Sequence, residues 1–136
     1  HWGIFPHLDI QLPIYDRSYS ALLEDLDQRG MLESTLVITA GEFGRTPRIN
    51  DNKRGPGRDH WGRCFSLTMG GGGIKTGEVL GSSDKYAATP ESRPVSVPDF
   101  VATVYHALGL DPSIEIESQG RPVKMLPEGN PIRELM

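Results

Sequence analysis

TLVITA, at residues Thr35–Ala40, is a run of apolar and β-branched side chains without polar alternation. Such a run is typical of a strand that is buried on both faces. Upstream, apolar residues recur at steps of three and four from Leu8 to Leu26, which predicts an amphipathic helix ending at Gly30. Pro13 predicts a kink or a late start for this helix. A helix, a tight turn and a buried strand in succession predict an α/β fold.

The segment after the strand, GEFGRTPRINDNKRGPGRDHWG, has no periodicity. It is rich in glycine, proline and arginine, and a loop of this length is functional or disordered. Its chemistry favours a functional loop. The remaining predictions are a strand at Arg63–Met69, a turn or close backbone approach at Gly70–Gly73, a hairpin arm at Ile74–Leu80, a helix at Pro98–Leu108 and a strand near Val123.

Length and charge restrict the classes of protein to which the chain can belong. With 136 residues, of which 37% are hydrophobic and 24% charged, the sequence predicts a single folded domain, residues 1–136. A net charge of −4 argues against nucleic acid as a partner. No apolar run is long enough for a membrane span. The single cysteine, Cys64, excludes a disulfide scaffold and is read as a small buried strand residue.

Two residues of the loop are candidate metal ligands. Glu42 follows the predicted buried strand, and ligands of parallel α/β sheets bind beyond the carboxyl ends of strands. The alternative is a solvated ion pair with Arg45 or Arg48. His60, flanked by Asp59, is the second candidate, and its alternative is a loop histidine bonded to backbone. Carboxylate and imidazole together suit zinc, manganese, iron or magnesium.

Basic residues crowd the same loop. They are Arg45, Arg48, Lys53, Arg54, Arg58 and Arg63. Guanidinium groups match the oxygens of phosphate and sulfate, so a basic loop beside a metal site suits an oxyanion ester. A merely solvated basic loop is the alternative for Arg48, Lys53 and Arg54.

Several segments together resemble a known family. They are residues 16–50, the GRDHW of 57–61, the glycine-rich 70–84, the VSVPDFVATVYHALGLD of 95–111 and residues 120–135. They look like the carboxyl-terminal part of the sulfatase-like family recorded as domain of unknown function 1501, within the alkaline phosphatase superfamily. The combination of EFGRTP and GRDH is specific, and the similarity covers essentially the whole chain.

The resemblance implies a fold and a set of ligands. The fold is the carboxyl-terminal part of a three-layer α/β architecture, with a mostly parallel or mixed sheet and helices on its faces. Glu42 matches an acidic ligand of one divalent metal, although Phe43 stands where the superfamily has a histidine. His60 matches a later histidine ligand. His1 matches the last residue of a Trp-Asp-Thr-His motif, with an unstructured terminal residue as the alternative. Arg45, Arg58 and Asp59 are then expected to contact substrate.

The resemblance also implies a function. The superfamily's nucleophile lies in an amino-terminal half, and no residue here matches it, since Cys64 lacks the CxPxR context of sulfatases. The chain is therefore expected to be the carboxyl-terminal fragment of a longer metal-dependent hydrolase of phosphate or sulfate esters, inactive alone, whose substrate is a small-molecule or glycan ester. A further partner is the amino-terminal half, and a periplasmic or exported location is implied. The alternative is a non-catalytic binding or scaffolding domain with a degenerate metal site.

Overall fold

The computed structural model describes residues 1–136 as two α-helices and four two-stranded sheets. Helix α1 spans Ile4–Gln28 and helix α2 spans Val97–Ala107, with 3-10 turns at Leu32–Ser34 and Arg133–Leu135. The strands are β1 (Leu36–Thr39), β2 (Gly44–Arg45), β3 (His60–Trp61), β4 (Thr68–Gly71), β5 (Ser82–Ser83), β6 (Pro90–Ser92), β7 (Glu115–Ser118) and β8 (Arg121–Lys124).

Every strand pair is antiparallel, so the predicted parallel or mixed three-layer α/β sheet is wrong. The sheets are β1 with β4, β2 with β3, β5 with β6, and β7 with β8. A parallel pair needs a crossover connection, usually a helix, and residues 40–67 contain none. The chain leaves β1 through an irregular loop and returns as β4 in the opposite direction. The prediction relied on a helix preceding an apolar strand, and that pattern does not fix strand direction.

Helix α1 begins earlier than the sequence suggests. It runs from Ile4 straight through Pro13, so the expected late start is wrong. Pro13 lacks an N–H to donate, but its carbonyl still accepts a hydrogen bond from Nε of Arg17 at 3.1 Å. The other end is confirmed: the helix stops at Gln28, and Gly30 has a left-handed φ of 66°.

The tetraglycine segment brings α1, the first 3-10 turn and the strands together. Strand β4 ends with Gly70 and Gly71, so the strand predicted at Arg63–Met69 lies further along the chain. Side chains of Tyr19 and Leu23 pack over the bare face of Gly70. A Cβ on Gly71, whose φ is 74°, would overlap the carbonyl oxygens of Thr35 and Leu32. The predicted close backbone approach is thereby confirmed.

Helix α2 anchors the carboxyl-terminal tail. The hydroxyl of Ser96 caps the helix by accepting from the Asp99 N–H at 3.1 Å, close to the predicted start. Thr103 is fully buried, and its hydroxyl accepts the N–H of Ile132 at 2.9 Å. The Asp99 carboxylate accepts the N–H of Asn130 at 2.8 Å, and this bond and the Ser96 hydroxyl hold the pKa of Asp99 below its usual value.

Two further predictions, for the chain after the glycine run, have opposite outcomes. The strand predicted near Val123 is confirmed, because Val123 lies in β8 and pairs with Ile116 of β7. The hairpin arm predicted at Ile74–Leu80 is wrong, since this segment contains no strand. Ile74 is instead buried, and the N–H of Lys75 donates to the carbonyl of Leu135 at 2.8 Å.

Much of the apolar surface stays exposed. Only 7 of the 136 residues are buried, and α1 contains none of them. The accessible surface is 9990 Å², whereas a compact monomer of this mass exposes about 7,000 Å². Ile10 and Ile14 lie on the side of α1 opposite its leucine stripe, and they are 61% and 48% exposed. Neither α1 nor α2 combines the length and the hydropathy that a membrane-spanning helix requires.

Substituting alanine for Gly71 will destabilise the fold more than substituting it for Gly73. The two glycines have nearly equal φ values of 74° and 76°, so the backbone strain is matched. A Cβ on Gly73 meets nothing within 4 Å, whereas one on Gly71 overlaps two carbonyl oxygens. We expect Gly71→Ala to lower the free energy of unfolding by roughly 1 to 3 kcal/mol more than Gly73→Ala, measured by urea titration. Equal losses would show that the close approach is not required.

The ion pair between Arg93 and Glu134 predicts a pH dependence. Two bonds join them, at 2.6 and 2.9 Å, and they lower the pKa of Glu134 from 4.5 to about 2. Because the pKa of Glu134 is lower in the folded state, the ion pair stabilises the fold at pH values above the ordinary glutamate pKa of 4.5. This stabilisation is lost as the pH falls from 4.5 towards 2. The effect is small, because solvent screens both exposed groups.

Glu134→Gln tests this dependence. We expect the difference in unfolding free energy between the unmodified chain and the variant to shrink as the pH falls through that window. Glu128→Gln is the control, because Glu128 is an exposed glutamate of the same tail without an ion pair. A difference that stays constant with pH would contradict the assignment.

Candidate functional site

Strands β2 and β3 fold the irregular loop back on itself. Arg45 pairs with His60 across these strands, and Gly44 pairs with Trp61. Further along, Thr46 N–H donates to the carbonyl of Asp59 at 3.0 Å. This pairing brings the EFGRTP and GRDH segments, which are separate in sequence, side by side.

The ring of His60 lies against two other rings. The centroid of Phe43 is 3.8 Å away in a stacked arrangement, and that of His1 is 4.3 Å away. Phe43 therefore contacts His60, a predicted metal ligand. His1 and His60, both predicted as metal ligands, lie together although 59 positions separate them in the sequence.

The first residues of the chain are held in place by the loop. The carbonyl of His1 accepts from Nδ2 of Asn50 at 3.0 Å, and Gly3 N–H donates to the carbonyl of Gly55 at 3.2 Å. A Cβ on Gly57, which is buried, would overlap the His1 carbonyl oxygen. Backbone contacts therefore hold His1 against the loop, and its role as a ligand stays a prediction.

The side chain of Asn50 holds the first residue and the loop together, although no motif in the sequence pointed to it. Its Nδ2 also donates to Oδ1 of Asp59 at 3.0 Å, and its Oδ1 accepts the N–H of Gly57 at 3.1 Å. Oδ1 of Asp59 lies 3.8 Å from Nδ1 of His1. An asparagine in a loop rich in glycine and proline is a turn signal, because its amide bonds nearby backbone. That signal could have identified Asn50.

Glu42 is exposed, and its carboxylate forms no hydrogen bond or ion pair within the chain. The alternative reading, an ion pair with Arg45 or Arg48, is therefore wrong. Glu42 directly precedes Phe43, whose ring stacks on that of His60. No group of three His, Cys, Asp or Glu side chains lies close enough to hold a metal ion. The imidazoles of His1 and His60 lie together, and the Asp59 carboxylate lies near His1, but these groups do not form a metal site.

The six basic residues of the loop have no acidic partners. None of Arg45, Arg48, Lys53, Arg54, Arg58 and Arg63 takes part in an ion pair. Arg45 is exposed, lies over the Phe43 ring with its central carbon 6.0 Å from the centroid, and donates to the Arg58 carbonyl at 3.4 Å. Arg58 is half-buried. The side chain of Arg45, which pairs with His60, is thus joined to the backbone of Arg58, the second predicted substrate-binding arginine.

A shallow cavity of about 330 Å³ lies at the end of β1. Tyr15 of α1, residues 39–41 and residues 66–68 line it. Hydrogen bonding to the Thr39 hydroxyl, and less strongly to that of Thr68, lowers the pKa of Tyr15. The cavity opens where β1 leads into Glu42, and no sequence pattern indicated it.

These features define an antiparallel α and β chain with a loop site of imidazole, carboxylate and guanidinium groups. The chain belongs to the family described as "Protein of unknown function (DUF1501)", whose match covers residues 1–136. No curated protein and no solved structure shows significant similarity to it.

Gly57→Ala will separate His1 from the site. The added Cβ would occupy the place of the His1 carbonyl oxygen, so the first residues must leave the loop. We expect the His1 ring protons to lose their ring-current shift in NMR spectra, while Phe43 stays stacked on His60. Gly62→Ala is the control, because its Cβ meets nothing within 4 Å. An unchanged His1 spectrum in Gly57→Ala would contradict this packing.

Proposed function

We propose that this chain contributes the oxyanion-binding part of a hydrolase of phosphate or sulfate esters. The observation that carries the proposal is the position of two arginines: Arg45 pairs with His60 across β2 and β3, its guanidinium donates to the backbone carbonyl of Arg58, and neither arginine has an acidic partner. A guanidinium without a carboxylate partner is free to bind the oxygens of a tetrahedral anion.

Each residue has a distinct part in this proposal. Arg45 and Arg58 bind oxygens that are not transferred and orient the ester. The Asp59 carboxylate, held by Asn50, lies 3.8 Å from the His1 imidazole and keeps that ring beside the arginines. The His60 ring, supported by Phe43, keeps a fixed orientation next to the arginines.

A divalent metal such as zinc or manganese belongs to the proposal only in part. His1, His60 and Glu42 are the proposed ligands, and a bound metal would polarise the ester oxygen. The residues present do not by themselves fit the ion, because no three potential ligands lie within reach of one centre. Further ligands from outside these 136 residues are required, and we derive no catalytic step through the metal.

The relation to sulfatases and phosphatases is part of the same proposal. It is supported by the EFGRTP and GRDH motifs, which the β2 and β3 pairing brings together. No residue matches the superfamily's nucleophile, so the proposed substrate, a small-molecule or glycan ester, would be cleaved only with an additional part of the protein, such as the amino-terminal half. A periplasmic or exported location follows from this relation alone.

A non-catalytic binding domain is the second candidate function. The stacking of Phe43 on His60 favours it, because an apolar ring stands where a ligand histidine would complete a metal centre. In that case the arginines bind an anion and no chemistry follows. Both candidates share the same anion contacts.

Anion affinity tests what the two candidates share. We expect Arg45→Ala to weaken the binding of inorganic sulfate and phosphate about tenfold in calorimetry, because a charge-assisted bond contributes roughly 1.5 to 3 kcal/mol. Arg121→Ala, an exposed arginine of β8, removes the same charge at a distance and should leave affinity unchanged. Anion binding that is indifferent to Arg45→Ala would remove the proposed role.

Turnover separates the candidates. We expect no hydrolysis of nitrophenyl phosphate or nitrophenyl sulfate by the purified chain with zinc or manganese added. Metal-dependent hydrolysis abolished by Glu42→Ala would contradict the need for an additional part of the protein. If the chain belongs to an enzyme, adding the amino-terminal half produces hydrolysis. If the chain is a binding domain, the mixture binds the anion without hydrolysing the ester.

A further inference from the structure

Charge is unevenly distributed along the chain. Residues 45–63 contain six basic and two acidic side chains, a net charge of +4, whereas the whole chain has a net charge of −4. The remainder therefore carries −8. Two arginines are enough to hold one tetrahedral anion, and Arg45 and Arg58 have that role in the proposed function. Four cations of the loop remain unexplained.

We propose that these remaining cations bind neighbouring anionic groups of an extended ligand, a glycan chain that carries several sulfate groups. They are Arg48, Lys53, Arg54 and Arg63, and they are called the outer cations below. The inference rests on the proposed function, because it identifies the substrate class of that site. All four are exposed and lack acidic partners, so an arriving polyanion does not have to displace a carboxylate.

Aromatic rings near the loop argue against nucleic acid as the extended ligand. Proteins that bind single strands offer free ring faces on which bases stack. Here Arg54 lies 5.6 Å from the Trp2 ring centroid, and Arg63 lies 5.5 Å from that of Trp61. The Trp61 indole N–H is also engaged, donating to the carbonyl of Ala88 at 2.7 Å. These rings orient the guanidinium groups and are not free platforms.

An exposed apolar side chain of the same loop favours a glycan over an inorganic polyanion. Ile49 is 48% exposed, directly follows Arg48 in the chain and is not engaged by a guanidinium group. Sugar rings have apolar C–H faces that can cover such groups, and burying them is favourable. A polyphosphate chain has no apolar face and gains nothing from them.

Heparin, a glycan rich in sulfate, is the probe, with inorganic sulfate as the single-anion reference. We expect the combined variant Arg48→Gln, Lys53→Gln, Arg54→Gln to lose at least about tenfold in heparin affinity at moderate salt. A variant with fewer cationic contacts releases fewer counterions when it binds. Its affinity for inorganic sulfate should stay unchanged. The dependence of heparin affinity on salt should also become less steep.

The matched control is Lys85→Gln, Arg121→Gln, Lys124→Gln, which removes the same charge from exposed positions without ion pairs. It should retain heparin affinity. Absent heparin binding, equal losses in both variants, or tighter binding of a polyphosphate or a single-stranded oligonucleotide than of heparin would overturn the inference. The proposed function fails separately, if Arg45→Ala leaves inorganic sulfate binding unchanged.

Discussion

The close approach of backbone at Gly71 is the contact on which the arrangement of the chain depends. The position lies against the carbonyls of Leu32 and Thr35, and the next N–H, of Gly72, donates to the Leu32 carbonyl at 2.8 Å. Any side chain at Gly71 would push β4 away from the turn that starts β1. Because α1 reaches the same sheet through Gly70, one run of glycines fixes helix, turn and both strands.

The site depends on this contact indirectly. Strands β1 and β4 define where the irregular loop leaves and where it returns, and β2 and β3 close it in between. Within the loop, Asn50 and Gly57 use backbone contacts to seat the first residues beside His60. The imidazole and guanidinium groups meet because backbone hydrogen bonds position them, with few buried side chains nearby.

Local signals in the sequence predicted the two helices and strand β1, but they missed most of the short strands and the long-range geometry. Apolar periodicity found both helices, and a β-branched run found β1, because these patterns report which face an element buries. Strand direction depends on the connection, and the segment after Thr39, which contains no helix, joins β1 to β4 as an antiparallel pair. Pro13 does not delay the start of α1, because a proline removes one hydrogen bond without stopping a helix that is already 9 residues long.

The structure brings several residues of the predicted site near one another, and their roles as ligands or substrate contacts stay predictions. The residues taken from the motifs, namely Arg45, Arg58, Asp59, His60 and His1, do lie near one another. Whether Glu42 joins them as a ligand stays a prediction. Asn50 escaped notice because its role is to hold other residues, which composition and spacing do not reveal. The cavity at Tyr15 depends on how α1 crosses the sheet, and no local pattern encodes that.

The exposed area of α1 also shapes the thermodynamics of the chain. Heat capacity and denaturant sensitivity both scale with the surface that becomes exposed on unfolding. A chain that leaves 9990 Å² accessible when folded has less surface still to release. Its stability curve is therefore flatter with temperature, and its unfolding transition in urea broader, than those of a compact protein of equal length. A polypeptide that covers α1 would make the stability curve more strongly curved and the urea transition narrower.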